Sequence, residues 1–168
     1  PGSSLPDGAR LAIDSGTKSP PPMHETPPAE DASPLTLDAA ALAQALRDRR
    51  WRCVEVTAAA LQRIDAVDGG LHAFCTLAGD AAMAQAETLD ARLAAGQDIG
   101  ALGGVPVAIK DLICTKGLRS TFGSRLYADF VPQEDDVVVE RLRQAGAVVV
   151  GKTNTSEFGY GAVGHNPL

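Results

Sequence analysis

The chain has 168 residues, with 15 Lys plus Arg against 21 Asp plus Glu and a net charge of −6. That length holds one domain or part of one, and the acidic balance lacks the basic face with which nucleic-acid binders neutralise phosphates. No apolar run reaches the ~18 residues of a membrane span, and no basic start with an apolar stretch reads as a secretory signal.

Eight of the eleven prolines lie within residues 1–34, with two basic and five acidic side chains. So little apolar mass cannot offset the entropy of ordering, and 1–34 is expected to be a disordered tail. Residues 1–22 precede the first methionine, Met23, and do not enter the fold expectation. Residues 35–168 are the part expected to fold.

Thr36 can cap a helix running to about Arg50, with Leu42, Ala45 and Leu46 at helical spacing. Arg47, Arg49, Arg50 and Arg52 cluster where that helix should end, which suits its dipole. A second helix is expected from Val54 to Val67, stopped by Asp68-Gly69-Gly70. Leu71 to Leu77 reads as extended. Asp80 is expected to cap a third helix with Met83, Ala86, Leu89 and Leu93 on one face and Gly96 after its end.

The pattern changes at Gly103. Val105 to Ile109 is a short apolar strand ending at Lys110-Asp111, with Pro106 suited to a strand start or a sheet edge. Residues 114–134 read as loop, with a turn of helix near Ser124 to Tyr127. Asp135 and Asp136 open a fourth helix whose inner face is Val138, Val139, Leu142 and Ala145, stopped by Gly146. Val148 to Val150 is a buried strand ending at Gly151-Lys152. Strand, helix, strand predicts a βαβ unit in a mostly parallel sheet, an α/β fold with helices over the sheet. Ligands in such sheets sit beyond the carboxyl ends of the strands. Lys110 and the segment 152–161 fall there.

Lys110 closes an apolar strand, so its stem is expected to be partly buried, and burial disfavours the ammonium form. A neutral lysine can serve as a general base toward a hydroxyl. The alternative is a strand-end lysine paired with the adjacent Asp111 or with a helix end. Ser120-Thr121-Phe122-Gly123-Ser124 offers hydroxyls that turns also favour. Lys152 to Gly161 is a polar strand-to-helix connection in which Gly159 and Gly161 allow close backbone approach. His24, His72 and His165 form no set with carboxylates or thiols at ligand spacing, so no metal and no cofactor is expected. Cys53, Cys75 and Cys114 are odd in number and match no zinc or redox motif. Reduced structural thiols in a cytoplasmic protein are the natural inference.

Gly103-Gly104-Val105-Pro106-Val107-Ala108-Ile109-Lys110-Asp111-Leu112 resembles the G-[VI]-P-x-x-[VI]-K-D segment of the amidase signature family. Gly117, Ser120 to Ser124, Ala145-Gly146-Ala147, Gly151-Lys152-Thr153-Asn154 and Glu157-Phe158 come next, in that family's order. The resemblance spans about residues 36–168. It implies the N-terminal portion of an α/β/α amidase fold: helices, then a βαβ unit. It also implies hydrolysis of small-molecule carboxylic amides by a Ser–cis-Ser–Lys triad. Lys110 matches the triad lysine, which takes a proton through the bridging serine. Gly159, Tyr160 and Gly161 match a segment that lines the acyl pocket in some relatives.

The family's Gly/Ser-rich stretch, with both serines and the oxyanion hole, comes after a segment like His165-Asn166-Pro167. Ser120, Ser124 and Ser156 precede that stretch, and none is assigned as nucleophile. The 168-residue chain is therefore expected to be inactive by itself, and to self-associate through an open sheet edge or melt with weak cooperativity. Two alternatives stay open. One is a piece of the A subunit of an amidotransferase that amidates misacylated tRNA. The other is a non-enzymatic remnant or binding module.

Overall fold

A computed structural model describes residues 33–162 and 164–168. The expected tail lies outside these residues except for Ser33 and Pro34, which begin a single 3-10 turn over Pro34–Thr36. Helix α1 then spans Ala39–Arg47. Its cap is Asp38, not Thr36. The Asp38 carboxylate accepts from Ala41 N at 2.8 Å, while the Thr36 hydroxyl donates to Ser33 O within the preceding turn. Leu42, Ala43, Ala45 and Leu46 are the buried face of α1.

Helix α2 spans Cys53–Leu71 and runs through the Asp68-Gly69-Gly70 expected to stop it. Asp68 acts one turn later. Its backbone carbonyl accepts from His72 N, and its carboxylate accepts from Ala73 N at 2.7 Å as the chain leaves the helix. His72 closes the turn in the left-handed region, at φ 51°. The start of α2 is held from a distance. The Asp90 carboxylate accepts from Cys53 N at 2.7 Å and Val54 N at 3.3 Å, with Arg52 Nε 3.5 Å away.

Strand β1 (Phe74–Leu77) leads directly into α3 (Gly79–Ala94). The helix starts one residue before Asp80, because Ala78 N donates to Val150 O and its carbonyl receives Ala82 N. Asp80 stands in the first turn, where its charge suits the dipole, and its side chain makes no cap. Ala82, Ala86 and Leu89 are buried.

Strand β2 (Pro106–Lys110), helix α4 (Val137–Gln144) and strand β3 (Val148–Thr153) form the expected parallel βαβ unit. The strand order is β1-β3-β2, so β2 is an edge strand with Pro106 at its first position. β1 adds antiparallel pairing on the far side of β3, which makes the small sheet mixed. Helices α1 to α3 cover one face through Leu46, Val56, Ala86, Leu89, Val148 and Val150. Helix α4 covers the other through Val139, packed with Ile109 and Val149. Val138, expected on the inner face, is half exposed; Val139 and Leu142, three residues apart, take that face.

Gly146 closes α4 at φ 86°, and a Cβ there would stand 1.9 Å from Ile99 O. Its carbonyl receives Gly104 N at 3.0 Å, which ties the start of β2 to the end of α4. The turn from α4 into β3 therefore admits only glycine.

Candidate active site

The carboxyl ends of β2 and β3 lie side by side, with Ile109 facing Lys152 and Lys110 facing Thr153. The pairing shifts between Val107 and Ala108: Val107 faces Val149, but Ala108 faces Gly151. Val150 is thus an extra residue on β3, a bulge that re-aims the residues after it. Lys152 consequently shares a face with Ile109 and Val149, toward α4. Lys110 leaves on the opposite face.

The two lysines have exchanged the burial expected of them. Lys110, expected to be partly buried, is exposed at the end of the edge strand, which lacks a neighbour beyond it among the described residues. Lys152, read only as part of a polar connection, is fully buried. Its Nζ lies 3.3 Å from Asp111 Oδ1 and donates to Ser120 Oγ at 2.6 Å and Ile113 O at 2.7 Å. Burial pushes the Lys152 amine below the usual lysine range, and the Asp111 carboxylate pulls it partly back.

Lysine against a serine hydroxyl is a pairing that can activate a nucleophile. Here it cannot meet a substrate, because Ser120, Lys152 and Asp111 are all sealed from solvent. The other Asp111 oxygen accepts from Thr121 N at 2.9 Å and from the Thr121 hydroxyl. Ser124 and Ser156 are also buried and engaged, Ser124 with Leu126 N and Ser156 with both backbone groups of Gly161. These contacts occupy the three serines that were left unassigned as nucleophiles.

The segment after β3 returns to Lys110. A Cβ on Gly159, at φ 74°, would meet Leu112 Cδ1 at 2.7 Å, so its backbone lies against the turn two residues beyond Lys110. Tyr160 is 97% exposed and Gly161 is exposed. The Lys110 turn and Gly159 are therefore brought together, and Gly161 is fixed beside them through Ser156. Phe158 N donates to Phe122 O, and the two rings stack at 6.5 Å. Asn166 donates to Thr155 O at 2.7 Å and to the Asn154 side chain. That bond brings the segment 164–168 back to the end of β3.

His72 and His165 are exposed. Among the described residues, no group of three His, Cys, Asp or Glu side chains could hold a metal ion. No helix there is long and apolar enough to cross a membrane. Cys53, Cys75 and Cys114 are free thiols.

A sequence profile of the Amidase family matches residues 55–168. The A subunit of glutamyl-tRNA(Gln) amidotransferase from Acaryochloris marina is 44% identical over 126 residues, covering 75% of this chain and 26% of the relative. The same protein from Thermosynechococcus vestitus is 49% identical over 112 residues, 67% of this chain and 23% of the relative. Among solved structures, the native peptide amidase of Stenotrophomonas maltophilia superposes with a TM-score of 0.68 at 37% identity, covering 72% of this chain and 25% of the amidase. A bacterial aryl acylamidase of the amidase signature family gives a TM-score of 0.71 at 26% identity, covering 76% and 27%. The chain thus spans about a quarter of the length of the curated relatives it matches.

Proposed function

The chain belongs to the amidase family, and from that premise we propose that it is the N-terminal portion of an enzyme that hydrolyses carboxylic amides with Lys110 as the base. One observation carries the reading. Lys110 presents an exposed amine at the carboxyl end of β2, with Gly159 seated against Leu112 beside it. Burial of Ser120, Ser124 and Ser156 supports a nucleophile drawn from outside these loops.

In the proposed reaction a serine attacks the amide carbonyl and passes its proton through a bridging serine to Lys110. The lysine must be neutral to accept it. Protonated Lys110 then returns the proton through the same relay to the leaving nitrogen, and a water that gives its proton to the same relay attacks the acyl-serine, releasing the acid and restoring the serine. Gly159, Tyr160 and Gly161 would border the acyl group; the glycines at 159 and 161 leave room for it. The test is release of ammonia or amine from a panel of amides by the full-length gene product. Lys110→Ala should abolish turnover in a folded protein, and a variant with wild-type turnover would refute the assignment.

A second reading is favoured by the 44–49% identity to amidotransferase A subunits. On that reading the same chemistry hydrolyses glutamine, and the ammonia serves amidation of a misacylated tRNA held by partner subunits. Glutamine-dependent amidation with co-purifying subunits would establish it. Turnover of simple amides by the protein alone would favour the first reading.

A further inference from the structure

A buried ion pair is often matched in stability by apolar side chains of the same volume. Stability alone is therefore weak ground for two charges at Lys152 and Asp111, which are 0% and 1% exposed. Their connections all converge on the turn that carries Lys110. Asp111 comes directly after Lys110, and its backbone N extends the β2–β3 ladder to Thr153 O at 2.9 Å. The Lys110 carbonyl accepts from Ile113 N at 3.0 Å, and the Ile113 carbonyl accepts from Lys152 Nζ at 2.7 Å. The Asp111 carbonyl accepts from Phe122 N, and its carboxylate takes Thr121 N. One amine and one carboxylate thus join the end of β2, the loop 113–122 and β3. The β3 bulge is what turns Lys152 toward them.

We propose that Lys152 and Asp111 are positioning residues that fix the turn 110–113 and, through it, the place of the Lys110 amine. The proposal rests on the reading of Lys110 as base. The pair touches no reacting atom. It acts by holding the backbone on either side of Lys110, and the extra residue on β3 delivers the amine.

Two measurements test this. The first is amide hydrogen exchange on the 168-residue chain. Lys152→Met alone strands a buried carboxylate and risks unfolding, so the deciding variant is Asp111→Asn with Lys152→Met, which removes both charges and keeps an acceptor for Thr121 N. Exchange at Ile113, Thr121 and Phe122 should quicken at least ~10-fold, with Val56 and Leu89 unchanged. Equal protection at the turn, or equal acceleration at every amide, would overturn the proposal.

The second uses the full-length gene product. The double variant should lose at least ~10²-fold in kcat, with KM within ~3-fold, as expected when a reacting group is misplaced and binding is kept. Wild-type kcat in a folded double variant would overturn the proposal. Lys110→Ala is the separate control. If that variant stays active, the reading of Lys110 as base fails, while the exchange measurement still decides whether the pair holds the turn.

Discussion

Lys110, the last residue of β2, and Lys152, the last but one of β3, lie one residue out of register on neighbouring parallel strands, and one is exposed where the other is sealed. The same side chain type therefore does two different physical jobs within one short stretch of sheet. Stability measurements separate them. Lys110→Ala should leave the unfolding free energy within ~0.5 kcal/mol of wild type, as for an exposed position. Lys152→Ala should cost about 3–5 kcal/mol, because it leaves the Asp111 carboxylate buried without its cation. Urea unfolding of the two variants gives the comparison directly, and equal effects would refute it.

The cap of α2 comes from α3. Asp90 receives the Cys53 and Val54 amides, the first donors of a helix that its own sequence does not cap with a side-chain acceptor at Arg52. Asp90→Ala should cost about 1–2 kcal/mol, the range of a lost N-cap. Arg52, whose side chain is 66% exposed, should matter little when replaced by Ala, within ~0.5 kcal/mol. The urea midpoints of the two variants should differ accordingly.

Gly146 has the least room for a side chain among the described glycines. Gly146→Ala must abandon φ 86° or push Ile99 away, and both disrupt the tie to Gly104. A loss of about 2–4 kcal/mol is expected from strain and displaced packing together. Gly69→Ala, at a helical position with no atom within 4 Å of the added Cβ, serves as the comparison and should stabilise α2 slightly. Thermal unfolding of both proteins would show the opposite signs.

Alkaline stability should track the thiols. Burial, with the Asp90 carboxylate adding to it, pushes the Cys53 thiol from 9.0 up to about 12, and burial likewise raises Cys75 to about 11. A group whose folded value is raised keeps its proton longer in the native state. Its stabilising contribution is whole below pH 9.0 and is lost as pH climbs toward the folded values. Lys152 acts with the opposite sign, since its amine is lowered by burial. Cys53→Ala removes only its own part, so its urea midpoint should fall less steeply than wild type from about pH 8 to about pH 10.5. Parallel slopes would sink the idea. The native thiols should also alkylate slowly at neutral pH, because the thiolate is the reactive form.

The β2 motif was legible because its chemistry lies in one contiguous run. An apolar strand, a proline at its start and a lysine at its end read off directly, and the structure returns them as an edge strand with Lys110 at the rim. Helix α4 and the crossover were legible for the same reason: acidic residues before and glycine after. Lys152 was not. Its burial depends on a bulge that no alternation of side chains announces and on Asp111, 41 positions away in the sequence. The polar run after Val150 looked like a strand leaving the sheet, whereas the strand continues to Thr153 with a charge inside it. The starts of α1 and α3 shifted because Asp38 outcompetes Thr36 as an acceptor and because β1 ties Ala78 to Val150. The end of α2 shifted because Asp68 caps the exit, not the last turn it was read to close.

The order β1-β3-β2 has a consequence for synthesis. The two outer strands appear first, and they do not touch each other. Neither has a partner among the described residues until residues 148–153 are made, so until then both keep open backbone edges. Helices α1 to α3 can pair as they emerge, through local contacts that close quickly. These three strands can then pair only once β3, the last of them to be made, is present. That interval, with two unpaired strands exposed, is when the nascent protein is most open to mispairing with its neighbours and most in need of a chaperone.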